Sequence, residues 1–281
     1  MTLLAEQRRR DDFFSPQSAF WRVNREMIGL LAGGRALLMQ IAHPKVAAGV
    51  AEHSHFQKDP LSRLRRTMNT MWSIVFDEPA RARDSLGRIA NVHSRVQGFV
   101  APGEGFTGMR YTASDPELLL WVHATLIDSG MVAYENFVAP LSPRESRDYY
   151  EESKTLARLF EIPQRLLPDT LADFQEYMNA QIAGSQLAVG RAARALADDI
   201  LHPSPWFMKP AGPVFRLITA GLLPSRLREA YGLEWNPRRE KAFKRAVQVV
   251  RALRPFVPSA LRIVPQARAA ERRAKKRGML E

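Results

Sequence analysis

Histidines and arginines set in apolar helical sequence are the residues of this chain whose types and spacing could do chemistry. They fall in Gly34-Arg35-Ala36-Leu37-Leu38-Met39-Gln40-Ile41-Ala42-His43-Pro44, Arg63-Leu64-Arg65-Arg66-Thr67, Val92-His93-Ser94-Arg95-Val96 and Trp121-Val122-His123-Ala124-Thr125. Polar side chains among apolar neighbours point to a buried cofactor or substrate site. His93 belongs to the stripe Leu86, Ile89, Ala90, His93, Val96, so its ring is expected to face inward. A neutral imidazole in an apolar pocket can act as an axial haem ligand. It can equally be a core histidine bonded to a carbonyl. His123, inside the most apolar helix, is open to the same two readings. Arg63, Arg66 and Thr67, at spacings of three and four, share one helix face. There they could clamp propionates, orient dioxygen or receive an anionic substrate, or extend to solvent along their stems.

Other chemistries find less support. Glu52-His53-Ser54-His55 holds one Glu-x-x-His and one His-x-His, whereas a di-iron carboxylate bundle needs two Glu-x-x-His pairs and two further glutamates. His53 and His55 are therefore expected at the surface or at a pocket edge. There is no His-Glu-x-x-His, no Gly-x-Ser-x-Gly, no phosphate loop and no dinucleotide fingerprint, which disfavours a hydrolase or an NAD-dependent enzyme. With no cysteine, the chain forms no disulfide, thiolate zinc site, ordinary iron–sulfur cluster or thiolate-ligated haem.

The elements that must position these groups read as helix almost throughout. The chain has 281 residues, 46% hydrophobic and 25% charged, enough for one large α-helical domain. Asp59-Pro60, Asp115-Pro116 and Ser142-Pro143 each put a capping side chain before a proline at the first helical position. Helices are expected from Pro60 to about Phe76, Pro79 to Gly98, 116–139, from Pro143, and over about 169–183 and 185–201. The segment 206–223 reads as amphipathic and loosely structured, and no alternating run argues for a sheet. The apolar stretches 27–41 and 206–223 are broken by charges, glycines and prolines, so neither reads as a membrane span.

The charge is concentrated. Between Pro237 and Glu281 fourteen Lys or Arg against three Glu give +11 of the formal net +12. A basic end of this kind attracts anionic surfaces, lipid or nucleic acid; alternatively it is a solvated, partly disordered tail from about Gln266. No sequence-reading nucleic-acid module is present, so nucleic acid is not expected as a partner. Arg8-Arg9-Arg10 is followed by Asp11-Asp12 and by no signal-type apolar run, so a cytoplasmic protein, peripheral to a membrane at most, is expected.

Taken together, the run 34–50, Asp59-Pro60 with Arg63-Leu64 and Thr67, His93 with Gly98, Asp115-Pro116 with Trp121-Val122-His123-Ala124-Thr125, and Leu223-Pro224 with Arg228 and Tyr231-Gly232-Leu233 resemble the oxygenase MpaB / rubber oxygenase catalytic domain. The resemblance covers roughly residues 15–240, leaving 1–14 as an N-terminal arm and 241–281 as a basic C-terminal helix and tail. It implies an all-α, globin-related haem b protein that uses dioxygen on a hydrophobic, isoprenoid-like small molecule. It further implies His93 as the iron's proximal ligand and Arg63 and Thr67 as the distal pair. His43 or His123 is left able to share or replace the role of His93. Where the family has a lysine before the distal threonine this chain has Arg66, whose guanidinium does not release a proton in the ordinary range. A haem- or lipid-binding helical protein without turnover is the alternative.

Overall fold

Proline at the first helical position starts five of the long helices, because its missing N–H is one the helix leaves unpaired in any case. The computed structural model describes residues 13–53, 60–104, 106–202 and 211–276, and only the backbone over 60–65. Helix α1 (Ala19–Asn24) leads through a 3₁₀ turn (Met27–Ala32) into α2 (Gly33–Ile41), α3 (Pro44–His53), α4 (Pro60–Phe76) and α5 (Pro79–His93). After a hairpin, β1 (Gln97–Phe99) and β2 (Arg110–Thr112), come α6 (Pro116–Phe137), α7 (Pro143–Leu159), α8 (Leu171–Ala183) and α9 (Arg191–Leu201). The chain continues with α10 (Gly212–Leu222), α11 (Ser225–Ala230), α12 (Pro237–Leu253), α13 (Ser259–Arg262) and α14 (Pro265–Lys276). The described residues are all-α apart from that hairpin.

The expected helix starts at 60, 116 and 143 are all present. The Asp115 carboxylate accepts from the Glu117 amide at 3.0 Å. At Ser142 the capping box is complete, with Glu145 N to Ser142 Oγ at 3.3 Å and Ser142 N to Glu145 Oε2 at 2.7 Å.

Helix α6, apolar nearly all round, lies at the centre, as its composition requires. It packs against α2, the 3₁₀ turn, α1, α7 and α12, while α2 also meets α3, α9 and α10. Leu38, Met39 and Ile41 of α2 join Trp121, Ala124 and Ile127 of α6 in the main core. The corner 223–233 is clamped to this centre. Gly232 takes φ +68, its amide and that of Leu233 close α11, and the Tyr231 hydroxyl donates to the Leu38 carbonyl at 2.7 Å.

Five expectations need correction. Helix α5 stops at His93, and Gly98 lies in β1 opposite Tyr111 rather than capping a helix. A Cβ on Gly98 would come within 2.7 Å of the Tyr111 hydroxyl and 2.8 Å of a Glu52 carboxylate oxygen, so the close crossing needs glycine. The strands are three residues long, too short for an alternating pattern to register. Helix α9 starts at Arg191, not near 185, because its amino end is capped from far along the chain, with Ala192 N donating to Glu104 at 3.2 Å.

Segment 212–222 is a regular helix with Gly212, Ile218, Thr219, Ala220 and Leu222 buried, rather than loose chain. Finally, no solvated tail begins at Gln266. Helix α14 lies against α4 with Ala267, Ala270 and Ala274 buried, and Glu271 accepts from Trp21 Nε1 at 3.0 Å and Arg25 at 2.8 Å. Among the described residues no helix is long and apolar enough to cross a membrane.

Candidate functional site

Three of the histidines singled out by sequence sit on different elements, His43 and His93 at helix ends and His123 within a helix. His43 closes the α2–α3 corner, held there because Pro44 must open a new helix. Its ring is buried and stacks parallel to Phe106 with centroids 5.8 Å apart and 4° between planes. Its Nδ1 accepts from the Lys45 amide at 3.3 Å. Burial, assisted by the Lys45 charge and opposed by Asp115, pushes its pKa down to about 4, so the imidazole is neutral. Phe106 reaches it from the 100–109 loop at φ +63.

His123 lies within α6, 6% exposed. Among the described residues its Nδ1 has no hydrogen-bond partner, and neither has the buried Nε1 of Trp121 two residues earlier. Burial alone drives the His123 pKa down to about 4. A neutral ring with an unused nitrogen deep in an apolar helix can coordinate a metal, or accept or donate one hydrogen bond to a ligand.

His93, the last residue of α5, is half-buried, and burial lowers its pKa. The α5 stripe does turn it partly inward, since neighbouring Val92 is 59% exposed.

The α4 residues are placed differently. Arg66 and Thr67 are exposed, and the Arg66 carbonyl accepts from Thr70 Oγ1 at 2.8 Å. Arg63 lies on the same helix, but its side chain falls outside the described residues. Among the described residues no hydrogen bond or ion pair joins Arg66 or Thr67 to His93 or His123.

His53 is at the surface, Nε2 3.2 Å from the Gln97 carbonyl, and Ser54 and His55 lie outside the described residues. Glu52 meets the buried Tyr111 hydroxyl in a short hydrogen bond, and burial with that carboxylate raises the phenol pKa above its usual range. Among the described residues no group of three or more His, Asp or Glu is arranged to hold a metal ion.

Sequence reading did not assign a partner to Arg35. It is 4% exposed, and its guanidinium donates to the Leu222 carbonyl at 2.8 Å, to Ser129 Oγ at 2.6 Å and to the Asp128 carboxylate. One side chain thereby ties α2, α6 and the end of α10 together. The available signal was an arginine and an aspartate each embedded in an apolar helix, since a buried charge requires a partner.

Fold and site thus define an all-α protein whose central helices carry neutral, buried imidazoles. Residues 21–252 match the model of the family described as ER-bound oxygenase mpaB/B'/Rubber oxygenase, catalytic domain, and the chain belongs to that family. Among the chain's relatives are the uncharacterized proteins Mb2261 of Mycobacterium bovis and Rv2237 of Mycobacterium tuberculosis. Each is 25% identical over 228 residues, spanning 79% of this chain and 87% of the relative. No solved structure matches the chain.

Proposed function

We propose that the protein is a haem b-dependent oxygenase with a globin-related core, acting with dioxygen on a hydrophobic, isoprenoid-like small molecule. The observation that carries this reading is the buried, neutral imidazole of His123, whose Nδ1 has no partner among the described residues, together with the half-buried ring of His93, in a member of an oxygenase family. The donor set fits the group, since a cysteine-free chain must offer iron a nitrogen or oxygen donor, and both rings are held unprotonated by burial. Bound haem would supply the activation of dioxygen.

His93 would hold the iron from the end of α5. Its partial burial favours the neutral ring. Arg63 and Thr67, one turn apart on α4, would orient dioxygen or the substrate's reacting double bond, and Arg66 would supply a fixed positive charge rather than a proton. Helix α6 would contribute the apolar wall for the substrate.

A second reading gives the iron to His123, favoured by one observation. Its Nδ1 is a buried polar atom with no partner among the described residues, a state that costs about 1–3 kcal/mol unless a ligand satisfies it.

The test is the visible spectrum and pyridine haemochrome of protein expressed with haem precursor, repeated for His93→Ala, His123→Ala and His43→Ala. Near-stoichiometric haem b, lost in His93→Ala alone, is expected. Loss in His123→Ala alone would transfer the ligand role to that residue. Colourless protein that takes up no added haem would overturn the haem reading and leave a helical lipid-binding protein as its replacement.

A further inference from the structure

The chain turns a hard apolar corner outward just after the family-matched region ends at 252. The last turn of α12, a 3₁₀ turn at Arg254–Phe256 and the short α13 expose Leu253 (58%), Phe256 (83%), Val257 (36%) and Leu261 (70%). Val249, one turn before Leu253 on the same face of α12, is 55% exposed and continues the patch. Single exposed apolar residues are ordinary, but a contiguous set led by a phenylalanine marks an interaction surface.

This corner is braced rather than loose. Pro255, Pro258 and Pro265 stiffen it. At its near end Arg254 grips the buried Glu26 carboxylate at 2.7 and 3.2 Å. At its far end Val264 N donates to the Arg25 carbonyl at 2.8 Å, and Ile263 and Val264 are buried. Both ends are therefore fixed to the body while the apolar side chains between them point to solvent.

The surrounding charge identifies the partner. From Lys241 to Ala270 there are seven Lys or Arg and no Asp or Glu. Arg254 is paired with Glu26 and Lys244 with Glu240, which leaves five basic groups, among them Arg245 one turn before Val249 on the same α12 face and the exposed Arg251. An apolar corner flanked along the chain by cations, with no acidic residue between 241 and 270, complements a surface that is anionic outside and hydrocarbon beneath. Phosphate groups of a nucleic acid would satisfy the cations but leave Phe256 and Leu261 without a partner.

We infer that the 249–261 corner is a membrane-docking wedge, inserting Phe256, Leu261 and Leu253 into the interface of an anionic phospholipid leaflet while Arg245 and Arg251 meet headgroup phosphates. It does not depend on which cofactor the helical core binds.

The absence of cysteine permits a direct test on the full chain. Phe256→Cys carries one thiol, which is labelled with an environment-sensitive fluorophore, and Arg147→Cys on α7 serves as control. Adding vesicles of phosphatidylcholine with about 30% phosphatidylglycerol is expected to shift the 256 label to the blue and leave the 147 label unchanged. Sedimentation with the same vesicles should weaken at least tenfold in Phe256→Ser/Leu261→Ser. Both positions are largely exposed, so the unfolding curve should not move. Pure phosphatidylcholine should bind more weakly, and raised salt should weaken the anionic vesicles' hold. Three results would each overturn the wedge: no binding to anionic vesicles, binding indifferent to the double variant, or a dimer in solution that the double variant dissociates without lipid.

Discussion

Replacing Arg35 with leucine removes a side chain that holds α2, α6 and α10 together through polar contacts. The Asp128 carboxylate, its side chain 22% exposed, would lose its ion-pair partner, and Ser129 Oγ and the Leu222 carbonyl would lose a donor. Leu222 is the last residue of α10, so its carbonyl has no partner within the helix. Breaking a buried charge pair from one side costs about 3–5 kcal/mol. With an unfolding entropy of about 2.1 cal/mol/K per residue, 281 residues give about 0.6 kcal/mol/K, so the melting temperature should fall by about 5–8 °C.

Urea unfolding followed by far-ultraviolet circular dichroism measures the loss. The double variant Arg35→Leu/Asp128→Leu should recover much of it, because no charge is then stranded. A single variant within about 1 kcal/mol of the parent, or a double variant equal to the sum of the singles, would refute the stranded-charge reasoning.

His43 and His123 both have folded pKa values of about 4, below the 6.5 of the unfolded ring, so between those values the unfolded chain binds protons that the folded chain does not. Stability from these two sites should be complete above about pH 6.5 and decline as pH falls toward 4, by up to about 3 kcal/mol for each. Urea midpoints across that range measure the slope, which should flatten in His123→Phe. At neutral pH, haem-free His123→Phe should gain about 1 kcal/mol, because a buried nitrogen without a partner is replaced by carbon; a loss of stability would mean that nitrogen is satisfied in solution. Gly34→Ala should lose about 1–3 kcal/mol in the same assay, since its Cβ would be driven into the buried Thr219 side chain and within 3.0 Å of Phe215.

Much of the helical layout was legible in the chain because its signals are local. Proline at the first turn, a capping side chain before it and a three-to-four apolar stripe lie within a few residues of one another, and they placed the starts at 60, 116 and 143. The nearly uniform apolar surface of α6 likewise announced a central position. The same local logic failed where a distant residue decides the outcome. Helix α9 starts late because Glu104 caps it, Gly98 is extended because Tyr111 crosses it, and 265–276 is docked because Trp21 and Arg25 receive Glu271.

The candidate site divides along the same line. Which residues are histidines and arginines on helices, the absence of thiol chemistry and the basic character of 237–281 belong to the sequence alone. That His123 is buried with an idle nitrogen, that Arg66 and Thr67 are exposed, that Arg35 is a three-helix tie, and that Phe256 stands outward on a braced corner were decided by tertiary packing. Burial, desolvation and long-range hydrogen bonds depend on which surfaces meet, and that information is spread over residues as far as 250 positions apart.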